Sequence, residues 1–335
     1  MPRAPAPLVS CVPAFARHNA FPPRVGWPAK VHAALRESPQ ALSRPDAATM
    51  LGVGSSMVKP MRFWSHSFGL IRYGERLRPR PVYPTARGHW LLDEDGADPY
   101  LEDPATLWLL HWWLLSGQPC YVPTFFHLFA NWWKSRFTRS ELRAAVQRAA
   151  VATGWPRPGD ALISHDITAL TSMYGTTSVV TYSARSVEEY VINPFRQLGI
   201  LNPVPDSGFT EWPAAVRRDR GELLVHRTRG NIAPRTVLAY ACLQYAQQSG
   251  LDQPGAVALA RLHTDPRGPG RLLLVDEHSL RTALEAAAEH PVGGDIALVD
   301  SAGGDLLAFD DSPRRIADRL LASYYHCPSG PETHS

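Results

Sequence analysis

Acidic side chains are scarce at the start of this 335-residue chain. Residues 1–90 contain 13 lysines and arginines but only three acids, which are Glu37, Asp46 and Glu75, so the net charge of this stretch is +10. The remaining residues hold 21 bases and 28 acids, a net charge of −7, and the formal total of +3 hides this asymmetry. A basic segment joined to an acidic remainder is typical of a polyanion-binding module attached to a part that binds no polyanion.

Paired cysteines and uninterrupted apolar runs are also lacking. The four cysteines are far apart, with no C-x-x-C pair, which argues against a zinc ribbon or a disulfide framework and favours a cytoplasmic location. Residues 105–133 contain no Asp, Glu, Lys or Arg, but SGQP at 116–119 and Pro123 divide them. The pieces have roughly a dozen residues each, fewer than the ~20 that a transmembrane helix needs. We therefore expect two buried helices and no membrane contact.

Several signatures of enzyme families are absent. The sequence has no G-x-x-x-x-G-K-[ST] phosphate-binding loop, no glycine-rich dinucleotide fingerprint after a strand and no H-E-x-x-H. It also lacks the zinc-deaminase pattern. ATP hydrolysis, nicotinamide chemistry and zinc proteolysis are therefore not expected.

Local patterns predict a mainly α fold in three parts. Residues 1–92 read as an N-terminal arm and a winged helix-turn-helix DNA-binding domain, and residues 93–258 as a helical domain with Asp103 and Thr138-x-x-Glu141 as helix caps. Residues 259–335 read as a small C-terminal α+β unit. There we expect a strand at RLLLVD (271–276), a hairpin at 295–310 and a last helix after Ser312-Pro313.

The helix-turn-helix is predicted at residues 44–71. PDAATMLGV is a short amphipathic helix that ends at Gly52, and the second helix closes at Gly69. Pro60 either kinks the second helix, or that helix starts near Lys59 with Pro60 at its first position. The expected DNA contacts are made by the second helix and by an arginine-rich hairpin, or wing; they are Ser55, Ser56, Lys59, Arg62, Arg72, Arg76, Arg78 and Arg80. The alternative is an ordinary helical hairpin with a basic face.

Six acids occur in the eleven residues 93–103. Asp98, Glu102 and Asp103 are candidate ligands for Mg²⁺, which in a phosphodiester-cleaving site stabilises the attacking and leaving oxygens. The alternative is a group of solvated loop acids and one helix cap. His18, His165 and His226 lie among polar neighbours and are candidate general bases; the alternative is that each is a hydrogen-bonded structural or surface histidine. Of the three, His18 joins Asp98 and Glu102 as a candidate catalytic residue.

Several blocks together resemble a bacterial domain-of-unknown-function family of DNA phosphorothioation loci. In chain order these blocks are RHNAFPPRVGW, LGVGSSMVKPMRFWSHSFGLI, YPTARGHWLL, DPYLEDPATLWLLHWWLLS, FTRSELRAAV, SHDITALTSMY and VEEYVINPFRQLGIL, within residues 15–250. Family members usually have His-Glu-Thr-Phe where this chain has His18-Asn19-Ala20-Phe21.

The resemblance implies a protein that binds double-stranded DNA and works with a cysteine desulfurase, an ATPase and an ATP-pyrophosphatase-like protein. It also implies nicking of one strand, which would give these sulfur-inserting partners access. Two hypotheses follow: a metal-dependent nicking endonuclease, and a non-catalytic DNA-binding adaptor or repressor of the modification locus. A third is a sulfur relay through one of the four cysteines.

Overall fold

The fold is mainly α-helical with small antiparallel sheets, as the sequence predicts. A computed structural model describes residues 8–76, 78–175, 193–204, 222–225, 233–251 and 254–332. The helices are α1 Trp27–Glu37, α2 Ala47–Leu51, α3 Val58–Ser67, α4 Ala86–Leu92, α5 Pro104–Ser116, α6 Pro123–Phe126, α7 Arg139–Ala152, α8 Asp160–Tyr174, α9 Arg235–Gln248, α10 Leu259–Thr264, α11 Pro269–Leu272, α12 Glu277–Ala288 and α13 Pro313–Tyr324. The strands are β1 Ile71–Tyr73, β2 Val82–Pro84, β3 Arg136–Thr138, β4 Leu201–Pro203, β5 Glu222–Val225, β6 Gly255–Ala258, β7 Ile296–Val299 and β8 Leu306–Phe309.

The chain folds into two compact units, each built from two separate stretches. The first combines residues 1–25 with 117–231, and the second combines residues 26–116 with 232–335. The three predicted domains, residues 1–92, 93–258 and 259–335, are by contrast each one continuous stretch of sequence. That division of the chain stays a prediction.

Residues 26–92 of the second unit form a module in which α1 packs against α3, α4 and β2. The predicted glycine stops are confirmed, because Gly52 follows α2 with φ 60° and Gly69 follows α3 with φ 75°. Pro60 is the third residue of α3, within the first turn, where a missing N–H breaks no intrahelical hydrogen bond. The helix thus starts at Val58, one residue before Lys59, and Pro60 is in its first turn but not at its first position. Strands β1 and β2 pair antiparallel and close a hairpin, with Arg72 opposite Tyr83.

The helices α5 and α9 form the interior of the rest of the second unit. Every residue of α5 from Ala105 to Ser116 is buried, which confirms the prediction of a buried helix. The side chains of Trp113 and Tyr240 join the two helices through a hydrogen bond of 2.9 Å. In the described part of the chain, no helix combines the length and the hydropathy required to cross a membrane.

The C-terminal α+β part contains a three-stranded antiparallel sheet in the order β6-β8-β7. The predicted hairpin β7–β8 and the helix α13 after Ser312 are confirmed. The strand predicted at residues 271–276 is wrong, because Pro269 starts the short helix α11 and the leucines after it are buried. A run of four apolar residues, here 272–275, fits a buried strand and a buried helical turn equally well.

The first unit holds the sheet β3-β5-β4 and the helices α6, α7 and α8. Thr138 and Glu141 form the predicted capping box at the start of α7, with the Thr138 side chain accepting from the Glu141 N–H. His226 lies outside the described residues.

Candidate functional site

The residues predicted to contact DNA all belong to the module 26–92, four of them around the start of α3 and four on the β1–β2 hairpin. We call them the basic face, defined as Ser55, Ser56, Lys59, Arg62, Arg72, Arg76, Arg78 and Arg80. Ser55 and Ser56 are exposed in the 3₁₀ turn that leads into α3, and Lys59 is exposed one residue into the helix. Arg62 is half-buried, whereas the four hairpin arginines are all exposed.

Two of the hairpin arginines are held in place by tyrosines of the same hairpin. The Arg72 guanidinium carbon lies 5.2 Å from the centre of the Tyr83 ring, and that of Arg80 lies 4.8 Å from the centre of the Tyr73 ring. Arg80 also donates from Nε to the Gly74 carbonyl at 3.1 Å. In the described residues, none of the four hairpin arginines is paired with a carboxylate. The hairpin therefore presents unneutralised cations whose orientation is partly fixed.

Arg44 and Arg87 belong to the same basic stretch of sequence but not to the basic face. Arg44 donates to Asp46 from Nη2 at 2.7 Å. Arg87 forms an ion pair with Glu332, and its guanidinium carbon lies 5.0 Å from the centre of the Trp113 ring. Both cations are therefore paired with a carboxylate of the protein, Arg44 at the surface and Arg87 in a half-buried position.

Asp98, a predicted catalytic and metal-binding residue, is buried and accepts three hydrogen bonds. Its Oδ1 accepts from the Glu102 N–H at 2.8 Å, while its Oδ2 accepts from the Asp103 N–H at 3.0 Å and the Thr106 hydroxyl at 2.7 Å. The carboxylate organises the turn that leads into α5.

Asp103 and Glu102 complete the predicted triad, but they do not gather around an ion. Asp103 accepts from the Ala105 N–H at 2.8 Å and caps α5, as the sequence predicts, and Glu102 is exposed. Among the described residues, the three acids are not part of a group whose ligand atoms lie within 4.8 Å of one another. Because Asp98 is occupied by three donors, the triad offers Mg²⁺ a poor set of oxygens, and we assign no step to Mg²⁺ there. The role of these acids stays a prediction.

His18 lies in the first unit, where both ring nitrogens are engaged. Its Nε2 lies 3.0 Å from Asp166 Oδ1, and its Nδ1 accepts from the Ala20 N–H at 3.1 Å. Asp166 also accepts from the Ala16 N–H and the Thr124 hydroxyl, both at 2.7 Å. His18 is 1% exposed. This arrangement fixes the turn at residues 16–20, and the catalytic role of His18 stays a prediction. His165 is exposed.

A cluster that the sequence analysis missed joins α1 to the end of α4. The His32 Nε2 lies 2.8 Å from Asp93 Oδ1, and the His89 Nδ1 lies 3.2 Å from Asp93 Oδ2. Burial lowers the pKa of His32, against the opposing effect of Asp93, and so favours its neutral form. Burial raises the pKa of Asp93, but the hydrogen bonds from the two histidines outweigh it and the net direction is down. The spacing His89-x-x-x-Asp93 was visible in the sequence, whereas the approach of His32 was not.

The cysteines are buried or half-buried. Cys11 and Cys120 are neighbours across an isolated β-bridge, and Cys242 lies inside α9. Burial raises the pKa of the Cys11 and Cys242 thiols well above the ordinary value. Because sulfur transfer requires a thiolate, these environments do not favour a sulfur relay.

Comparisons with known proteins agree with the resemblance seen in the sequence. A family model described as "Protein of unknown function (DUF4007)" matches residues 15–325. A structure described as "Magnesium ion-bound SspB crystal structure" and another described as "SspB crystal structure" are each similar to this chain, at 33% sequence identity and a TM-score of 0.84. Each match covers 95% of this chain and 90% of the other. None of the curated proteins compared with the chain matches it.

Proposed function

This chain belongs to the DUF4007 family, and from that premise we propose that it is the DNA-binding component of a bacterial DNA phosphorothioate modification and defence system. The observation that carries the proposal is the basic face: a helix start and a hairpin of one small module expose cations that no described carboxylate neutralises. Lysines and arginines arranged in this way bind phosphates through a term that does not depend on base sequence.

The two elements of the basic face have different tasks in this proposal. The start of α3, with Ser55, Ser56 and Lys59, enters the major groove and contacts base edges and nearby phosphates. The hairpin contacts the backbone through Arg76 and Arg78 at its tip, while Arg72 and Arg80 are oriented by their tyrosine rings. In this proposal the module acts as a winged helix-turn-helix on duplex DNA.

Binding to a short DNA duplex, measured by fluorescence anisotropy, tests the proposal. The triple variant Arg76→Ala, Arg78→Ala, Arg80→Ala should bind weakly, and about equally so for every duplex sequence. A matched control removes three cations that have internal partners, Arg281, Arg314 and Arg315. If both triple variants lose affinity to the same degree, the loss reflects net charge alone and the assignment of the basic face fails.

We propose further that the bound protein nicks one strand with a divalent cation and so admits the sulfur-inserting partners: a cysteine desulfurase, an ATPase and an ATP-pyrophosphatase-like protein. The similar structure described as magnesium-bound supports a divalent cation. Supercoiled plasmid incubated with the protein and Mg²⁺ should then yield open circles, and a chelator should prevent this.

A non-catalytic adaptor is the second candidate, and one observation favours it. The polar atoms of Asp98 and His18 serve as acceptors and donors within the protein. An adaptor binds plasmid DNA with the same salt dependence and leaves the plasmid supercoiled under every metal condition. The plasmid assay therefore separates the two candidates while leaving the DNA-binding proposal to the anisotropy measurement.

A further inference from the structure

We infer that His32, His89 and Asp93 form a binding site for a divalent transition-metal ion of the Mn²⁺, Fe²⁺ or Zn²⁺ class. His32 lies on α1, His89 on α4 and Asp93 directly after α4. Each residue offers one ligand atom, and the three atoms lie within 4.8 Å of one another. The inference rests on this geometry and does not require the protein to bind or cleave DNA.

The spacing of the ligand atoms suits a metal ion. Two of the contacts, His32 Nε2 to Asp93 Oδ1 and His89 Nδ1 to Asp93 Oδ2, measure 2.8 and 3.2 Å. In a tetrahedral site with metal–nitrogen bonds of about 2.0–2.1 Å, neighbouring ligand atoms lie about 3.3 Å apart. For the single ligand oxygen Asp93 Oδ1, the distances to His32 Nε2 and His89 Nδ1 are 2.8 and 3.3 Å, so they change by at most about 0.5 Å when an ion binds. The two imidazole nitrogens lie within 4.8 Å of each other and approach by at most about 1.5 Å.

The chemistry of the ligands selects the metal. Two imidazoles and one carboxylate are the set used by iron and related transition metals, whereas Mg²⁺ prefers oxygen ligands throughout. His89 and Asp93 are partly exposed, with 36% and 22% of their side-chain surfaces accessible. Solvent therefore reaches the site from one side, so that water molecules or a phosphate oxygen can occupy the remaining coordination positions.

The environment of His32 differs from that of a structural histidine. His18 engages both ring nitrogens in hydrogen bonds. The Nδ1 of His32 is buried and has no hydrogen-bond partner in the described structure. A buried imidazole that serves packing alone normally has both nitrogens satisfied. Among the described residues, the His32 ring is thus hydrogen-bonded only through Nε2, the atom that faces Asp93 and the proposed ion, and Nδ1 takes no part in the site.

Arg36 opposes the ion and provides an internal test. The Arg36 side chain is half-exposed, and its Nη1 lies 3.6 Å from Asp93 Oδ1. A bound cation and the guanidinium therefore compete for the same carboxylate. Removal of this charge in Arg36→Gln should strengthen metal binding several-fold. A purely structural His–Asp cluster has no reason to bind metal more tightly in this variant.

The experiment uses the full-length, untagged protein after removal of metals with a chelator. Titration with MnCl₂, followed by the loss of the free Mn²⁺ electron paramagnetic resonance signal, should show one ion per chain. His89→Gln and Asp93→Asn should each weaken binding by at least about tenfold, the lower end of what loss of an outer-shell partner costs a metal site. His165→Gln, which alters an exposed histidine in the first unit, is the matched control and should leave binding unchanged.

Three results would overturn the inference: no stoichiometric binding by the wild-type protein, binding that His89→Gln and Asp93→Asn leave intact, or displacement of Mn²⁺ by an equal concentration of Mg²⁺. Circular dichroism of each variant shows that it is folded, and the partly exposed position of His89 makes His89→Gln the variant least prone to misfold. Loss of DNA binding by the wild type leaves the metal titration unaffected, so the two proposals fail independently.

Discussion

Replacement of Asp98 by alanine distinguishes a turn-forming carboxylate from a metal ligand. The side chain accepts hydrogen bonds from two backbone N–H groups and from the Thr106 hydroxyl, at 2.7–3.0 Å. A hydrogen bond to a charged acceptor contributes about 1.5–3 kcal/mol, and a buried donor left unpaired costs about 1–3 kcal/mol. Because the three bonds share one carboxylate and the loop can admit water, their contributions do not add fully. We expect Asp98→Ala to lower the free energy of unfolding by about 3 kcal/mol.

Urea unfolding followed by tryptophan fluorescence measures this change. The turn leads directly into α5, which carries three of the ten tryptophans, Trp108, Trp112 and Trp113, in the core, so part of the emission reports on the affected region. The midpoint should fall while the dependence on urea concentration stays constant. Glu102→Ala removes an exposed neighbouring acid and should change the free energy by less than about 0.5 kcal/mol.

The reasoning is refuted if Asp98→Ala is as stable as Glu102→Ala. It is refuted equally if Mg²⁺ raises the melting temperature of the wild type but not that of Asp98→Ala, because a ligand that binds only the folded state stabilises it by mass action. The first result would remove the turn-forming role, and the second would return Asp98 to the role of a metal ligand.

Two further predictions concern packing and thiol reactivity. Gly88→Ala should destabilise the protein by about 2 kcal/mol or more, because a Cβ there would lie 2.2 Å from the Leu70 carbonyl oxygen. Thermal unfolding measures this change. A melting temperature equal to that of the wild type would show that α4 and Leu70 move apart without cost. In the folded protein, iodoacetamide should modify the half-buried Cys327 before the buried Cys11 and Cys242, because burial raises the pKa of all three thiols but only Cys327 is partly accessible to solvent; peptide mass spectrometry over time checks this order.

The features that were predictable from the sequence depend on short stretches of chain. Gly52 and Gly69 end helices because only a residue without a side chain adopts positive φ at little cost, and the Thr138–Glu141 capping box is complete within four residues. The exposure of the hairpin arginines also follows from a local cause, since four cations within nine residues cannot be buried without partners. These elements required no knowledge of the rest of the fold.

The features that were missed depend on contacts between distant residues. The two units each combine stretches more than 90 residues apart in sequence, and periodicity within one stretch carries no information about such pairing. His32 reaches Asp93 across 61 residues. Likewise, the acidic residues at 93–103 led to the prediction of a metal site. The Asp98 carboxylate instead accepts hydrogen bonds within the turn before α5, and the sequence does not show this orientation.

The salt dependence of DNA binding tests the central proposal most directly. Each phosphate contact contributes about 0.9 to the slope of log K against log salt concentration on duplex DNA. The triple variant Arg76→Ala, Arg78→Ala, Arg80→Ala should therefore reduce the slope by about 2–3 relative to the wild type. The control variant at Arg281, Arg314 and Arg315 should keep the slope of the wild type. A wild-type protein that binds no duplex at low salt, or a triple variant whose slope equals that of the wild type, would contradict the proposal that this face contacts DNA.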